Sequence, residues 1–412
     1  MDTALADFIK DTPEGREAEA ILRSCVHCGF CMATCPTYQL LGDELDGPRG
    51  RIYLIKGVLE GRAVTEKTQL HLDRCLTCRS CETTCPSGVK YGRLLDIGRH
   101  IVDERVPRPA AEQALRWTLR RALTAKPLFG GAVMLGRMAK FALPKEIAGK
   151  LPSAPPAGYW PPPRHSRKML ALSGCVQPAL MPSIDAAMAR VLDRIGISLV
   201  RAGGGCCGAL PHHLSAVDEA LTLVKRNIDA WWPDVSRGAE AIVVTASGCG
   251  VMVKDYGYLL RNDKDYADKA KRIAALARDP VEVVGAEWRK MAPMVAMDQG
   301  PLRVAFHSPC TLQHGMKLRG SVEEILLALG FEMTPVADAH LCCGSAGTYS
   351  ILQPELAGRL RANKVKALEA GAPEVIASAN IGCITHLAGA AKAPVRHWVE
   401  LLDARMLGGA RR

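Results

Sequence analysis

Two runs of cysteine carry the first chemistry legible in this chain. Cys25, Cys28, Cys31 and Cys35 are followed by Pro36, and Cys75, Cys78, Cys81 and Cys85 by Pro86, so both runs read C-x2-C-x2-C-x3-C-P. Thiolates at this spacing hold the corners of [4Fe-4S] clusters, three from one run and the fourth serving the other cluster. Cluster one is therefore expected on Cys25, Cys28, Cys31 and Cys85, and cluster two on Cys75, Cys78, Cys81 and Cys35. Zinc favours separated C-x2-C pairs, and disulfide frameworks belong to small secreted domains. Neither suits four cysteines crowded into eleven residues, twice. Two clusters in one fold imply one-electron transfer.

A second cysteine set repeats itself downstream. Lys168–Cys175 (KMLALSGC) parallels Arg303–Cys310 (RVAFHSPC), Cys206, Cys207 and Gly208 parallel Cys342, Cys343 and Gly344, and Ala241–Cys249 (AIVVTASGC) parallels Val375–Cys383 (VIASANIGC). The offsets 310 − 175 = 135, 342 − 206 = 136, 343 − 207 = 136 and 383 − 249 = 134 stay in step, the mark of an internal duplication. Each half alternates strand and helix, which predicts a small parallel sheet with its cysteines at the carboxyl ends of strands, where such sheets bind ligands. Cys175, Cys206, Cys207, Cys249, Cys310, Cys342, Cys343 and Cys383 are thus candidates for a further iron–sulfur or zinc site. Adjacent cysteines suit a distorted cluster, a bridging thiolate or redox thiol chemistry better than a regular cube. Of the nearby His212, His213, His307, His314, His340 and His386, most read as ordinary strand-end or loop residues, with one or two placed to hydrogen-bond a cluster or a quinone. Gly203, Gly205 and Gly208 match G-x-G-x-x-G only formally, because cysteines fill the x-x positions and no acidic residue closes a strand about 20 residues on.

The elements that position these cysteines follow from pattern. Helices are predicted over 14–22, 51–60 and 68–75, giving a mainly α-helical domain with two [4Fe-4S] clusters over 1–104. Basic helices (106–126 and 128–143) and a Pro-rich linker (LPSAPPAGYWPPP) fill 105–167, and two cysteine-rich repeats fill 168–290 and 301–404. The fold class is α+β multidomain, with a duplicated α/β cysteine-rich module. Net charge is 53 − 42 = +11, and between Pro86 and Lys168 the excess is 16 − 5 = +11, so the basic character is local. That segment suits an anionic membrane surface or an acidic partner, and the lack of aromatic interleaving argues against nucleic acid. Neither an apolar leader nor a long uncharged apolar run is visible, so the expectation is a cytoplasmic protein, peripheral at the inner membrane.

With both cysteine systems in view, the chain resembles the family of bacterial glycolate oxidase iron–sulfur subunits, which pair a double ferredoxin motif with two cysteine-rich CCG domains. The resemblance rests on CVHCGFCMATCP (25–36), LLGDELDGPRGRIYL (40–54), CLTCRSCETTCPSG (75–88), NIDAWW (227–232), TASGCG (245–250), LCCGSAGTY (341–349), ANIGCITHL (379–387) and VRHW (395–398). It implies an electron-transfer subunit without a flavin site of its own. Flavin-bearing glycolate oxidase subunits would oxidise glycolate to glyoxylate, and this subunit would pass electrons toward a quinone-type membrane acceptor. Related families share the cysteine plan, so the alternatives are a heterodisulfide-type thiol/disulfide reductase subunit, or the iron–sulfur subunit of a lactate or glycerol-3-phosphate dehydrogenase. In the heterodisulfide reductase type each repeat closes with C-x-x-C, whereas here Ala246 and Asn380 stand three before Cys249 and Cys383.

Overall fold

The computed structural model describes residues 1–138, 156–296, 300 and 302–406. Its N-terminal third is helical. Helix Pro13–Ser24 begins where the Thr12 hydroxyl accepts from Gly15 N at 2.9 Å and Pro13 takes the first position, where a missing N–H costs nothing. Its buried Ala18, Ile21 and Leu22 join Ile52, Ile55 and Leu59 of helix Pro48–Leu59 and Leu94 and Leu95 of helix Tyr91–Arg105 in one apolar core. Those last two helices cross at Gly98, where a Cβ would meet Ile55 Cγ1 at 2.6 Å. The helices predicted over 14–22, 51–60 and 68–75 are Pro13–Ser24, Pro48–Leu59 and Glu66–Asp73. The second starts early because Pro48 initiates it, ahead of the apolar period.

Next come helices Ala110–Thr124 and Lys126–Met138; the predicted extension to 143 lies outside the described residues. Their basic side is largely spent within the molecule. Arg116 is buried against Asp73 and Glu112, and Arg120 faces Glu219 of the first repeat at 3.3 Å. From the proline-rich stretch, Trp160 donates through Nε1 to Leu199 O at 3.1 Å and lies under the Arg201 guanidinium, which ties the described part of the linker to the first repeat. No helix of the described residues is long and apolar enough to cross a membrane.

The remaining chain forms two four-stranded parallel sheets of identical strand order. Strands β1 (Arg167–Ala171), β2 (Ile197–Arg201), β3 (Ile242–Val243) and β4 (Ala277–Arg278) run in the order β2-β1-β3-β4. Strands β5 (Arg303–His307), β6 (Glu332–Met333), β7 (Val375–Ser378) and β8 (Val395–His397) run β6-β5-β7-β8. Helices cover the sheets, so central residues such as Leu170, Ile242, Ala305 and Ile376 are buried, as parallel sheets require. The repeats do not stand apart. Leu192 and Val243 of the first share a core with Phe306, Trp398 and Leu402 of the second, and Arg190 and Arg194 both pair with Asp403.

Candidate metal and electron-transfer centres

The two N-terminal cysteine loops follow the same backbone path. His27 and Gly29 in the first, and Thr77 and Arg79 in the second, all take left-handed φ values of +59°, +85°, +51° and +59°. Non-glycine residues there store strain of order 1 kcal/mol each, held only where surrounding structure demands the curl. Cys35 and Cys85 are both extended, as a residue before proline prefers, and Pro36 opens the helix Pro36–Leu41.

The loops face each other and enclose two cavities. Cys25, Cys28, Cys31 and Cys85 line one, Cys35, Cys75 and Cys78 line the other, and Cys81 lies at both. Burial, then neighbouring Cys25, pushes the Cys31 thiol up to about 11, with Cys85 and Cys28 adding to it. Cys81 is pushed well above the usual thiol range by burial and then by Cys78 and Cys75, with Cys35 contributing. Such thiols ionise only for a strong cation, and four converging sulfurs round a cavity form the donor set a [4Fe-4S] cluster takes. The residues present therefore fit the group.

Each downstream quartet also converges. The thiols of Cys175, Cys206, Cys207 and Cys249 lie close enough to shift one another's ionisation. The same holds for Cys310, Cys342, Cys343 and Cys383. Within the first quartet Cys206 is the thiol held low, by Cys175 and Cys207 and by the Gly208 N–H. The glycine after each cysteine pair has a backbone reason. Gly208 and Gly344 sit at φ +90° and +89°, and a Cβ on Gly344 would meet Ala357 O at 2.7 Å. The Gly203 to Gly208 loop wraps Asn227, whose amide accepts from Gly205 N and donates to Cys206 O, so those glycines serve close packing.

The second quartet reaches the N-terminal centre, where Cys310 packs beside Cys78. Leu76, Cys310, Cys342, Tyr349 and Leu356 form one apolar cluster, and the Tyr349 hydroxyl donates to Arg74 O at 3.1 Å. Beside this contact opens a cleft lined by Cys75, Cys78, Cys310, Cys342, Cys343 and Cys383 together with Arg79 and His212. Asp255 closes it by pairing with Arg79 and Arg93 at 3.2 and 2.6 Å. Of the six histidines named from sequence, His212 lies 3.4 Å from Asp96, His314 bonds Thr83 at 2.9 Å, and His307 is buried beside Cys343 and Cys383. Burial holds His307 neutral, with its pKa lowered to about 3. His213 and His340 carry no hydrogen bond to a thiol, and His386 faces Ala357 O.

Sequence reading missed Arg51, 1% exposed beneath the second cavity. Its guanidinium donates to His71 O and Thr37 Oγ1 and pairs with Asp46. Burial works against its charge, but Cys75, Tyr91, Cys35 and Asp46 outweigh it and keep Arg51 protonated above even its usual range. The available signal was an arginine on the apolar stripe shared by Ile52, Ile55 and Val58.

Comparison with known proteins agrees with this layout. A family described as 4Fe-4S dicluster domain matches residues 21–89, and one described as Cysteine-rich domain matches 169–254 and 304–388. The chain is 55% identical over 405 residues to the glycolate oxidase iron-sulfur subunit of Escherichia coli (strain K12), covering 98% of each protein. It is 29% identical to the probable glycolate oxidase iron-sulfur subunit of Bacillus subtilis (strain 168), over 90% of this chain and 89% of the relative. Lactate utilization protein A of Bacillus licheniformis is 25% identical over 56% of this chain. A dicluster domain of the ferredoxin type followed by two cysteine-rich repeats, with near end-to-end identity above one half, places the chain in the family of glycolate oxidase iron–sulfur subunits.

Proposed function

We propose that this chain is the electron-transfer subunit of a flavin-dependent glycolate oxidase, relaying electrons from flavin-bearing subunits toward a quinone-type acceptor. The observation that carries the reading is the separation of the two N-terminal quartets into adjoining cavities, the second of which opens toward the cleft. Cys25, Cys28, Cys31 and Cys85 are the ligands of the first cluster; Cys75, Cys78, Cys81 and Cys35 are those of the second. Bound there, [4Fe-4S] clusters supply one-electron carriers. The residues around them give the path its two ends. Cys28 is exposed, and Val26 and Phe30 beside it are 68% and 62% exposed, an apolar patch suited to the flavin-bearing partner. At the other end Leu76, Leu214 and Leu352 offer apolar walls to a quinone ring, while Arg79 and His212, whose Nδ1 is buried without a partner, offer hydrogen bonds to its oxygens. Exposed Leu128, Met134, Leu135 and Met138 share one side of helix Lys126–Met138 and suit the membrane surface where quinones reside.

The test uses anaerobically purified full-length chain. It is expected to bind about eight iron atoms as two four-iron clusters, to oxidise no glycolate alone, and to couple glycolate oxidation to quinone reduction once flavin-bearing partners are added. Glycolate turnover by the chain alone would sink the assignment.

A further inference from the structure

The duplicated repeats differ at two buried places. Three residues before the first cysteine of each repeat stand Leu172 and His307, and twenty-one residues after Cys207 and Cys343 stand Ile228 and Lys364. Leu172 and Ile228 are apolar members of the first repeat's core. His307 and Lys364 are almost as deeply buried, at 2% and 4% exposure, yet polar. His307 Nδ1 lies 3.0 Å from Ser378 Oγ, while its Nε2 is buried with no hydrogen-bond partner. Leaving such a nitrogen unsatisfied incurs its full desolvation penalty. Lys364 donates to Asp338 O at 2.7 Å; burial works against its charge, and Cys310, Cys343 and Cys342 as thiolates favour it. An orphaned imidazole nitrogen and a buried ammonium beside the same thiols are both accounted for by a cation held on thiolates with net negative charge.

The spacing identifies the kind of cation. A ring nitrogen of His307 and the Sγ atoms of Cys343 and Cys383 all lie within 4.8 Å of one another. Around one zinc ion, with Zn–S near 2.3 Å and Zn–N near 2.1 Å, tetrahedral neighbours stand about 3.5–3.8 Å apart. Closing that gap takes movements of about 1 Å. Among the described residues no such tight trio occurs in either N-terminal quartet, as suits thiolates spread over the corners of a cube. The other compact group, Asp43, Asp46 and His71, has its Asp46 charge taken by Arg51 and Arg74.

We propose that the second repeat binds a single zinc-type ion through His307 Nε2, Cys343 Sγ and Cys383 Sγ, with Cys342 as the fourth ligand, and that the first repeat lacks this site. Binding releases three thiol protons to solvent. Three thiolates, a neutral imidazole and a divalent ion leave one negative charge, which Lys364 balances. Supporting contacts of the kind that orient ligands are in place: Ser378 on Nδ1, Asn380 Nδ2 donating to Cys383 Sγ at 3.4 Å, and Gly344 N donating to Cys342 Sγ at 3.4 Å. Asn380 thus fills the place of the missing C-x-x-C cysteine as a donor to sulfur, and His307 on β5 supplies a ligand from the neighbouring strand. The ion has no redox role. It goes beyond the relay proposed above by fastening β5, the cysteine-pair loop and helix Ile381–Ala388 into one wall of the cleft.

The deciding measurements are zinc and iron content and zinc-edge X-ray absorption on anaerobically purified full-length chain. The expected result is about one zinc per chain beside the iron, with one nitrogen and three sulfur neighbours. His307→Leu, which copies the first repeat, should lower zinc retention against a chelator at least tenfold. His307→Cys should retain zinc in a four-sulfur shell. A wild-type chain without zinc, a zinc shell with no nitrogen neighbour, or unchanged zinc retention in His307→Leu would each overturn the proposal. Because the wild-type spectrum decides by itself, failure of a variant to fold does not rescue the proposal.

Discussion

Arg51 is an enclosed cation among Cys35, Cys75, Tyr91 and Asp46, 1% exposed at the wall of the second cavity. A unit charge within about 8 Å at an effective dielectric near 20 contributes about 2 kcal/mol. For one electron that corresponds to about 90 mV, at 59 mV per tenfold change in equilibrium constant. Reduction adds a negative charge, so Arg51 favours the reduced form and its loss makes the potential more negative. Arg51→Gln is expected to lower the midpoint of one cluster by roughly 50–100 mV in an EPR-monitored redox titration, with Arg51→Lys shifting it less. The other cluster should stay in place, because Arg51 lines only the cavity of Cys35, Cys75 and Cys78. Equal shifts in both clusters would contradict the assignment of Cys35 to the second. The cysteines were legible because metal chemistry dictates their spacing. Arg51 was not, because a helical arginine reads as solvated until the fold shows helix Pro48–Leu59 buried round about.

Helix Lys126–Met138 presents its apolar side outward. Leu128, Met134, Leu135 and Met138 are each about two-thirds exposed, while Val133 on the opposite side is buried among residues of the repeats. Local charge excess had pointed to an electrostatic face on the preceding helix Ala110–Thr124, but Arg116 and Arg120 are engaged by Asp73, Glu112 and Glu219. Among the described residues Arg121, mostly exposed and 3.9 Å from Glu219, and Lys126 stand toward solvent near the apolar side. The membrane affinity proposed above should therefore come mainly from apolar burial, with salt as a modifier. Burying one leucine is worth about 1.5–3 kcal/mol. Leu135→Asp is accordingly expected to lower partitioning onto anionic vesicles about tenfold or more in a sedimentation assay. Added salt should weaken the wild-type chain only a few-fold; abolition of binding by moderate salt would restore the electrostatic account. Charge counting along the chain cannot see partners that arrive from distant sequence, such as Glu219.

Across the whole molecule, docking of the helical domain onto the repeats brings Cys78 to Cys310 and builds the cleft. Asp255 anchors that docking through Arg79, itself mostly buried, and Arg93. Removing one partner of a buried pair costs 3–5 kcal/mol, and Asp255 is 22% exposed, so about 2–3 kcal/mol is expected for Asp255→Ala. A lowered thermal midpoint and faster proteolysis between the domains, with both clusters still formed, would register it; an unchanged midpoint would show the docking to rest elsewhere. By itself the sequence determined the ligand-bearing runs, the duplication and the helical or parallel-sheet character of each part. Spacing of metal ligands, repeat offsets and apolar period are all local along the chain. Only the tertiary structure decided which quartet meets the N-terminal centre, that His307 stands beside Cys343 and Cys383, and that Arg116 and Arg120 are paired with acidic residues. Those facts depend on distances between residues tens to hundreds of positions apart, which packing of the three modules sets and no spacing along the chain encodes.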